Sequence, residues 1–285
     1  MKKPALILFG DPQRAFSKEA LDRFLHFVSD RAEILANCFE TSCPIDVLRK
    51  ADFAVVFGGD GTILAAARQL CETKVPVIGV NVGKLGFLAE FSVDEVMTFF
   101  DRIVTGHTLI EKRMILQCSL ERSGQEVFSY TAVNDVVITA GTPFSMIELK
   151  ISVQGQMLAG CIGDGMILST PTGSTAYNLS AGGPILSANL SAMVLTPICP
   201  HSLSFRPIVI DAASVVEISF SRINDGTTVA VDGQASSRLA IDDVVRIARE
   251  SCSFLVVNNP MRTRWDTLAT KLGWAKRPRY SSEPG

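Results

Sequence analysis

The 285-residue chain is predicted to form an α/β domain with a parallel, Rossmann-like sheet, followed by an all-β, sandwich-like domain. Three observations predict this fold class. At roughly 150 residues per domain, the length suits two domains. Up to about residue 105, short apolar runs alternate with helical stretches, which is typical of a parallel sheet covered by helices. After about Lys112, apolar residues recur at every second position, which is typical of half-buried β-strands.

The predicted α/β domain begins with a buried strand and continues through alternating helices and strands. The predicted strands are residues 4–10, 52–57 and 75–80, and the predicted helices are residues 17–30, 62–71 and 92–105. The last helix begins at Ser92, whose spacing from Glu95 is that of a capping box. Strands that are separated by helices are expected to run parallel.

The predicted all-β domain follows, and a final helix returns to the first domain. Apolar and polar side chains alternate over residues 114–120, 147–153 and 216–220. From Thr263 to Trp274 apolar residues recur at helical spacing, and we expect this helix to pack on the α/β domain. The predicted domains are residues 1–111 together with 259–285, and residues 112–258.

Composition excludes several classes of protein. The net charge of −2 and the 47% share of hydrophobic residues exclude a strongly basic nucleic-acid binder and a disordered chain. No apolar run approaches the ~20 residues that span a bilayer, so we predict a cytoplasmic protein with no membrane association. The seven cysteines are irregularly spaced and the three histidines are scattered, which predicts neither a disulfide framework nor a zinc site. The chemistry is therefore expected to depend on carboxylates, backbone amides and substrate.

The segment Gly58–Thr62 has the composition of a phosphate-binding turn. It lies between a predicted strand and a predicted helix, at the end of the sheet where α/β folds bind ligands. Glycines let the backbone approach a phosphate, and the helix N-terminus offers free N–H groups. Asp60 would repel a phosphate unless it binds a metal ion or accepts a proton from a hydroxyl. An equally weighted alternative is a tight turn in which Asp60 and Thr62 only cap the helix.

A second candidate site is the segment Gly163–Pro184, which is rich in glycine and small hydroxyl residues. We expect a strand over residues 166–169, then a polar turn and a short helix starting near Ser174. Tyr177 can stack on a base or donate a hydrogen bond. An ordinary connecting loop is less favoured, because long polar loops in compact domains usually have a function. The amides expected to face a ligand are those of Ser174, Thr175 and Ala176.

Two further segments place carboxylates within apolar runs. These are Asn134-Asp135 and Asp232-Gly233-Gln234. An amide beside a carboxylate suits ribose hydroxyls and adenine edges, because one group donates and the other accepts. For Asp232, a hairpin turn is an equally favoured alternative. Three carboxylates, those of Asp60, Asp135 and Asp164, suit a magnesium-assisted site, but no spacing specific to metal ligands is present, so none is assigned as a ligand.

Taken together, these segments resemble the NAD kinases. The first motif alone is shared with lipid kinases and phosphofructokinases, whereas the run Ser169–Tyr177 is highly specific. The matching segments follow the family's order over nearly the whole chain: Gly58–Thr62, Asn134-Asp135, Asp164-Gly165, Ser169–Tyr177, Ala181–Pro184, Pro200–Ser204, Arg206-Pro207 and Lys271–Trp274.

The resemblance implies a reaction and a set of site residues. ATP, or in some members polyphosphate, phosphorylates the 2′-hydroxyl of the adenosine ribose of NAD to give NADP, with a divalent metal ion that we expect to be Mg²⁺. The site lies between the domains and is commonly completed by a neighbouring subunit, so a homodimer or homotetramer is expected. Asp60 is the implied general base, and the implied phosphate-binding residues are Gly58, Gly59, Gly61 and Thr62. The implied NAD-binding residues are Asp60, Gly61, Asn134, Asp135, Asp164, Thr175, Ala176, Tyr177, Asn178, Leu179, Ser180 and Gln234.

Two positions depart from the family pattern. Many members have Glu where this chain has Asp135, and many have Arg where it has Ile162. A small shift or a water molecule can absorb the first change, whereas the second removes a charge, so Ile162 is not assigned to the site. Two other functions remain open. One is a lipid kinase, although the sequence shows no sign of a pocket for acyl chains or of a membrane-binding face. The other is a nucleotide sensor without catalytic activity, which is supported only by Ile162 in place of the family's Arg.

Overall fold

The computed structural model describes residues 3–10, 15–39, 43–83, 86–106, 109–143 and 145–273. Trp274 and the tail beyond it, which the sequence assigns to the last helix and its basic extension, lie outside these residues. In the described part of the chain the strands form a larger sheet of mixed pairing and a smaller antiparallel sheet. The same residues contain no helix long and apolar enough to cross a membrane.

Parallel strands form the N-terminal part of the larger sheet, as predicted. They are β1 (Ala5–Gly10), β2 (Glu33–Asn37), β3 (Phe53–Phe57) and β4 (Val77–Val80), in the order β2-β1-β3-β4. The helices are α1 (Ala15–Val28), α2 (Ile45–Leu48), α3 (Asp60–Leu70), α4 (Val93–Thr98) and α5 (Phe100–Thr105). Apolar cores cover both faces of this sheet, which explains why most of its strands are continuous apolar runs.

Three local features of the α/β part differ from the prediction or refine it. The edge strand β2 is largely half-buried and α2 is a single turn, so neither has a strong sequence pattern and both were missed. The helix predicted over residues 92–105 is interrupted at Phe99. Its capping box is confirmed, because Glu95 N donates to Ser92 Oγ at 3.2 Å and Ser92 N donates to Glu95 Oε2 at 2.7 Å.

The remaining strands and helices follow from Ile110 onward. The strands are β5 (Ile110–Arg122), β6 (Gln125–Ala132), β7 (Asp135–Thr139), β8 (Ile147–Val153), β9 (Gln156–Gly163), β10 (Gly165–Ser169), β11 (Ala192–Ile198), β12 (Ile208–Asp211), β13 (Val216–Arg222), β14 (Thr228–Val231), β15 (Ala235–Arg238) and β16 (Val244–Val257). A 3₁₀ turn (Gly173–Thr175), α6 (Tyr177–Ser180) and α7 (Arg264–Leu272) complete the described elements. The predicted alternating strands are therefore confirmed in β5, β8 and β13.

The two sheets pack face to face and form the predicted sandwich-like domain. The smaller sheet has the order β12-β11-β10-β7-β14-β15, with antiparallel neighbours. Its inward side chains share one apolar core with those of β5, β8, β13 and β16 from the larger sheet. The predicted fold class, an α/β part with parallel strands and an antiparallel β part, is thus confirmed.

Strand β16 joins the parallel and antiparallel parts of the larger sheet. Near its C-terminal end it pairs parallel with β4, placing Val256 opposite Val77, and it pairs antiparallel with β5 and β13. The chain then contacts the α/β part, where Asn259 and Arg262 hydrogen-bond Glu90. Because β5 runs through residues 111–112 and β16 pairs with strands of both parts, the proposed division into domains stays a prediction.

The cysteine prediction needs one correction. A disulfide joins Cys38 and Cys43, whose Cα atoms are 5.8 Å apart, within the usual range for such a bond. The other five cysteines are free. This bond was not predicted, because it joins the residue after β2 to the segment before α2, and both of these elements were missed.

Candidate active site

The glycine-rich turn has an open backbone. Gly59 caps α3 in an extended conformation and no side chain caps the helix, so the interpretation of Asp60 and Thr62 as caps does not hold. A Cβ atom added at Gly59 or Gly61 would meet nothing within 4 Å, whereas one at Gly58 would overlap the Thr62 side chain. The backbone of Gly59 and Gly61 can therefore be approached closely by a ligand, while Gly58 is needed for packing.

Asp60 is held by backbone amides from the segment after β4. Its Oδ2 accepts a hydrogen bond from Phe87 N at 2.9 Å, and its Oδ1 accepts bonds from Leu88 N at 2.9 Å and Ala89 N at 3.1 Å. Together, Phe87–Ala89 are called the amide cradle below. A carboxylate has about four acceptor positions. The described residues therefore leave one position on Oδ2 for a ligand.

The Asn134-Asp135 segment is fixed by Asp232. The Asp232 carboxylate accepts bonds from the N–H groups of Val133, Asn134 and Asp135 at 2.9, 2.8 and 3.1 Å. Asp232 itself follows β14 in the tight hairpin to β15, with a φ of 51°. The hairpin interpretation of Asp232 is therefore correct, and its carboxylate supports the neighbouring segment.

Asp135 is a buried carboxyl group with an unused oxygen. Its side chain is 5% exposed, and Oδ2 has no hydrogen-bond partner among the described residues. Burial and the nearby Asp232 raise the pKa of Asp135 to about 7, although the Tyr177 backbone N–H opposes this. Burial also raises the pKa of Asp232, but three N–H donors and Arg68 favour its anion. Asp232 therefore ionises first, and Asp135 retains its proton in mildly acidic solution.

The hydroxyl-rich loop after β10 lies against Asn134. Thr170 N donates to the Asn134 backbone oxygen at 2.9 Å, and a Cβ at Gly173 would overlap the Asn134 backbone. The short helix predicted near Ser174 is present as the 3₁₀ turn followed by α6. Tyr177 and Ser180 are exposed, and three further predicted contacts are half-buried, namely Thr175, Ala176 and Leu179.

Asn178 is the exception in this loop, because its side chain is committed to the protein. Its Nδ2 donates to Ser174 O and Pro184 O, each at 3.0 Å, and its Oδ1 accepts from Thr196 Oγ1 at 2.6 Å. The side chain is fully buried and has no free donor. Asn178 therefore holds the loop in place, and its predicted contact with a ligand cannot use these donors.

Replacing Asn178 with alanine should destabilise the fold. Asn178→Ala would leave Thr196 Oγ1 and two backbone oxygens without their buried donor or acceptor, at a cost of about 2–4 kcal/mol. Urea unfolding measures this change. The exposed Asn189→Ala is the matched control, with an expected change below about 0.5 kcal/mol; equal losses in the two variants would contradict the assigned role.

Gln234 connects the two groups of site residues. Its Nε2 donates to Gly61 O at 2.9 Å, and its Oε1 accepts a bond from Arg68. Arg68 lies on α3, and its Nη1 is buried without a partner in the described structure. The contact brings the hairpin and Asp232 next to the glycine turn. Arg68 was missed, although it is the one basic residue of α3 and follows a run of apolar residues in the sequence.

Asp164 lies apart from the other predicted residues. In the pairing of β10 with β7, Ser169 is opposite Asp135 and Gly165 is opposite Thr139. Asp164 is therefore at the other end of β10, roughly 17 Å from Asp135 at about 3.3 Å per residue. Across the described ranges, no group of three His, Cys, Asp or Glu side chains could hold a metal ion. Asp60, Asp135 and Asp164 thus do not form one metal site within this chain.

A small cavity adjoins the cradle and the hydroxyl-rich loop. It has a volume of about 60 Å³ and is lined by residues that include Phe87, Thr175, Arg113, Trp265 and Leu268. The sequence did not point to this cavity or to the cradle. Backbone amides have no residue-type signature, and the cavity walls come from segments that are distant in sequence.

The site combines an open glycine turn at the carboxyl end of a parallel strand with a second group of residues, which Gln234 connects to the turn. This second group contains the Asn134 amide, the Asp135 carboxyl group and the exposed Tyr177. Such an arrangement is typical of a nucleotide-binding enzyme. Residues 38–108 match the family model for the ATP-NAD kinase N-terminal domain, and residues 133–258 match that for the C-terminal domain. The chain belongs to the NAD kinase family and is an NAD kinase.

Relatives and solved structures agree with this assignment. The NAD kinase of Geotalea daltonii is 39% identical over 241 residues, 85% of each chain. That of Rhodopirellula baltica is 35% identical over 276 residues, 97% of this chain and 88% of the relative. Yeast NADH kinase complexed with NADH has a TM-score of 0.88 and 26% identity, covering 99% of this chain and 91% of that one. An Archaeoglobus fulgidus NAD kinase in complex with ATP has a TM-score of 0.74 and 25% identity, covering 94% and 98%.

Proposed function

We propose that this NAD kinase transfers the γ-phosphoryl group of ATP to the 2′-hydroxyl of the adenosine ribose of NAD, with Asp60 as the general base. The observation that carries the proposal is the amide cradle, which fixes Asp60 beside an open glycine turn and leaves one acceptor position on Oδ2. In the reaction, the hydroxyl oxygen bonds to the γ-phosphorus while the bond to the bridging oxygen breaks. ADP leaves, and Asp60 takes the hydroxyl proton.

The other site residues are proposed to bind the two substrates. The open backbone of Gly59 and Gly61 supports contacts to phosphate oxygens, assisted by the N-terminus of α3. Asn134 and Asp135 are proposed to bind ribose hydroxyls. The remaining proposed NAD contacts are Thr175, Ala176, Tyr177, Leu179, Ser180 and Gln234.

A divalent ion is proposed to enter with ATP. The donor set fits an ion held mainly by substrate phosphates, since the described residues contain no cluster of protein ligands and the one free position on Asp60 Oδ2 is assigned to the hydroxyl proton. Mg²⁺ prefers such oxygen ligands and commonly relies on phosphates for part of its coordination. When bound, it would neutralise charge that develops on the transferred phosphoryl group.

Several broader proposals accompany this function. Residues 1–111 with 259–285, and residues 112–258, are proposed as the two domains. A homodimer or homotetramer is proposed, and the distance of Asp164 from Asp135 supports a contact from Asp164 to NAD bound mainly by another subunit. We also propose a cytoplasmic location and polyphosphate as an alternative donor.

A coupled assay tests the proposed reaction. Purified protein is incubated with NAD, ATP and Mg²⁺, and NADP is quantified with an NADP-specific dehydrogenase; parallel reactions contain EDTA, polyphosphate or NADH. NADP as the acceptor is the control, because its 2′-oxygen is already phosphorylated. Formation of NADP from ATP is expected, and bound NAD without turnover under any donor and metal would contradict the proposal.

Crowding the amide cradle should reduce turnover. A Cβ at Gly86 would overlap Asp60 Oδ1 and approach Ala89 N to 3.1 Å, so Gly86→Ala should displace the carboxylate. We expect kcat to fall about 10- to 100-fold, the scale of misplacing a catalytic group by ~1 Å. Gly83→Ala enters open space and is the matched control. Equal kcat values for the two variants in steady-state kinetics would rule out this role of the cradle.

A further inference from the structure

The residue that follows the amide cradle, Glu90, is held in place by hydrogen bonds from a segment distant in sequence. Glu90 follows Ala89 directly and is 8% exposed. Its Oε2 accepts a bond from Asn259 N at 2.9 Å, and its backbone oxygen accepts one from Asn259 Nδ2 at 3.1 Å. Arg262 Nη1 donates to the same backbone oxygen at 2.7 Å. A segment distant in sequence therefore determines where the end of the cradle lies.

These contacts belong to a largely buried polar network, in which Arg262 and Glu95 are partly exposed. Asn259 is 1% exposed, and the second terminal nitrogen of Arg262 pairs with Glu95 Oε1 at 2.6 Å. Arg113, 5% exposed, pairs with Glu111 at 3.0 Å. Burial lowers the pKa of Arg113, and the charge of Glu90 opposes this. Because buried hydrogen bonds of this kind are costly to break, the network resists movement of Glu90.

We propose that Asn259 and Arg262 are positioning residues for Asp60, acting through Glu90 and the amide cradle. This inference rests on the proposed function, in which Asp60 accepts the proton of the acceptor hydroxyl. The same C-terminal segment also reaches the other end of the cradle, where the Lys271 ammonium lies 4.7 Å from the centre of the Phe87 ring. The residues after β16 thus set the geometry of a carboxylate on α3.

Steady-state kinetics of Arg262 variants test the proposal. Arg262→Met removes the bond to Glu90, and we expect kcat to fall about 10-fold with KM for NAD and ATP changed less than about 3-fold. Arg262→Lys keeps a charge and a donor and should recover part of the loss. Glu95→Gln is the matched control. It weakens the ion pair between Glu95 and Arg262 but leaves the bond from Arg262 to Glu90, and glutamine can also form the capping box. The kcat of this control should stay within about 2-fold of the wild type.

Hydrogen exchange provides a measurement that does not depend on the reaction. Without substrates, the amides of Phe87–Ala89 should exchange at least about 10-fold faster in Arg262→Met, while those of α3 keep their protection. If the wild type makes no NADP, the proposed function fails but the exchange still tests positioning. Unchanged exchange and kcat, a loss confined to KM, or an equal loss in Glu95→Gln would overturn the inference. Arg262→Lys supplies the same measurements if the Met variant does not fold.

Discussion

Asp60→Asn should lose at least about 100-fold in kcat, the usual scale for removing a general base. An amide has no basic oxygen for the hydroxyl proton, and its NH₂ group would face a backbone N–H of the cradle, which also donates. The remaining Oδ1 can still accept from Leu88 N or Ala89 N. The change therefore removes the base while disturbing its position only partly.

The effect of Asp60→Asn must be separated from loss of substrate binding. Calorimetry should give an NAD dissociation constant within about 3-fold of the wild type, because Asn134 and the loop after β10 are untouched. Asp52→Asn is the matched control: Asp52 also accepts a backbone N–H, from Ala5 at 2.8 Å, but stands before the other end of β3. A kcat for Asp60→Asn similar to that of the control would exclude Asp60 as the base.

The sequence predicted the fold well where burial leaves a strong pattern. Strands β1, β3 and β4 are buried on both faces and read as apolar runs, and β5, β8 and β13 alternate because one face is covered. The pattern failed for β2 and α2, where exposure dilutes the apolar signal. The continuity of the sheet through β16 was also hidden, because one strand pairs with partners on both sides of the expected boundary.

For the candidate site, the sequence indicated residue types and segments but not their geometry. Glycines and hydroxyl residues identified the turn and the loop, and a paired amide and carboxylate identified Asn134-Asp135. The separation of Asp164 from Asp135 depends on the strand register of β7 and β10, which composition does not encode. The amide cradle could not be predicted, because it is made from backbone groups that any residue type supplies. That every hydrogen-bond donor of the Asn178 side chain is already used could be learned only from its partners in the structure.

Asp135→Asn should stabilise the fold in neutral and alkaline solution. The pKa of Asp135 is raised from 3.8 to about 7 in the folded protein. Folding therefore favours the protonated carboxyl group, so its contribution to stability is complete below pH 3.8 and is lost as the pH rises through about 7. At about 1.4 kcal/mol per pH unit, this interval corresponds to ~4 kcal/mol as an upper figure. Asparagine stays neutral throughout and can still accept the Tyr177 N–H bond.

The pH dependence distinguishes this explanation from a simple packing effect. In urea unfolding, the stability of Asp135→Asn relative to the wild type should be near zero at pH 4, grow up to pH 7 and level off above about pH 8. The exposed Asp242→Asn should change stability by less than about 0.5 kcal/mol at every pH. A gain that is constant with pH would show that Asp135 is not protonated by burial. The same variant should bind NAD less tightly, because stability gained by neutralising a buried functional group is commonly gained at the cost of activity.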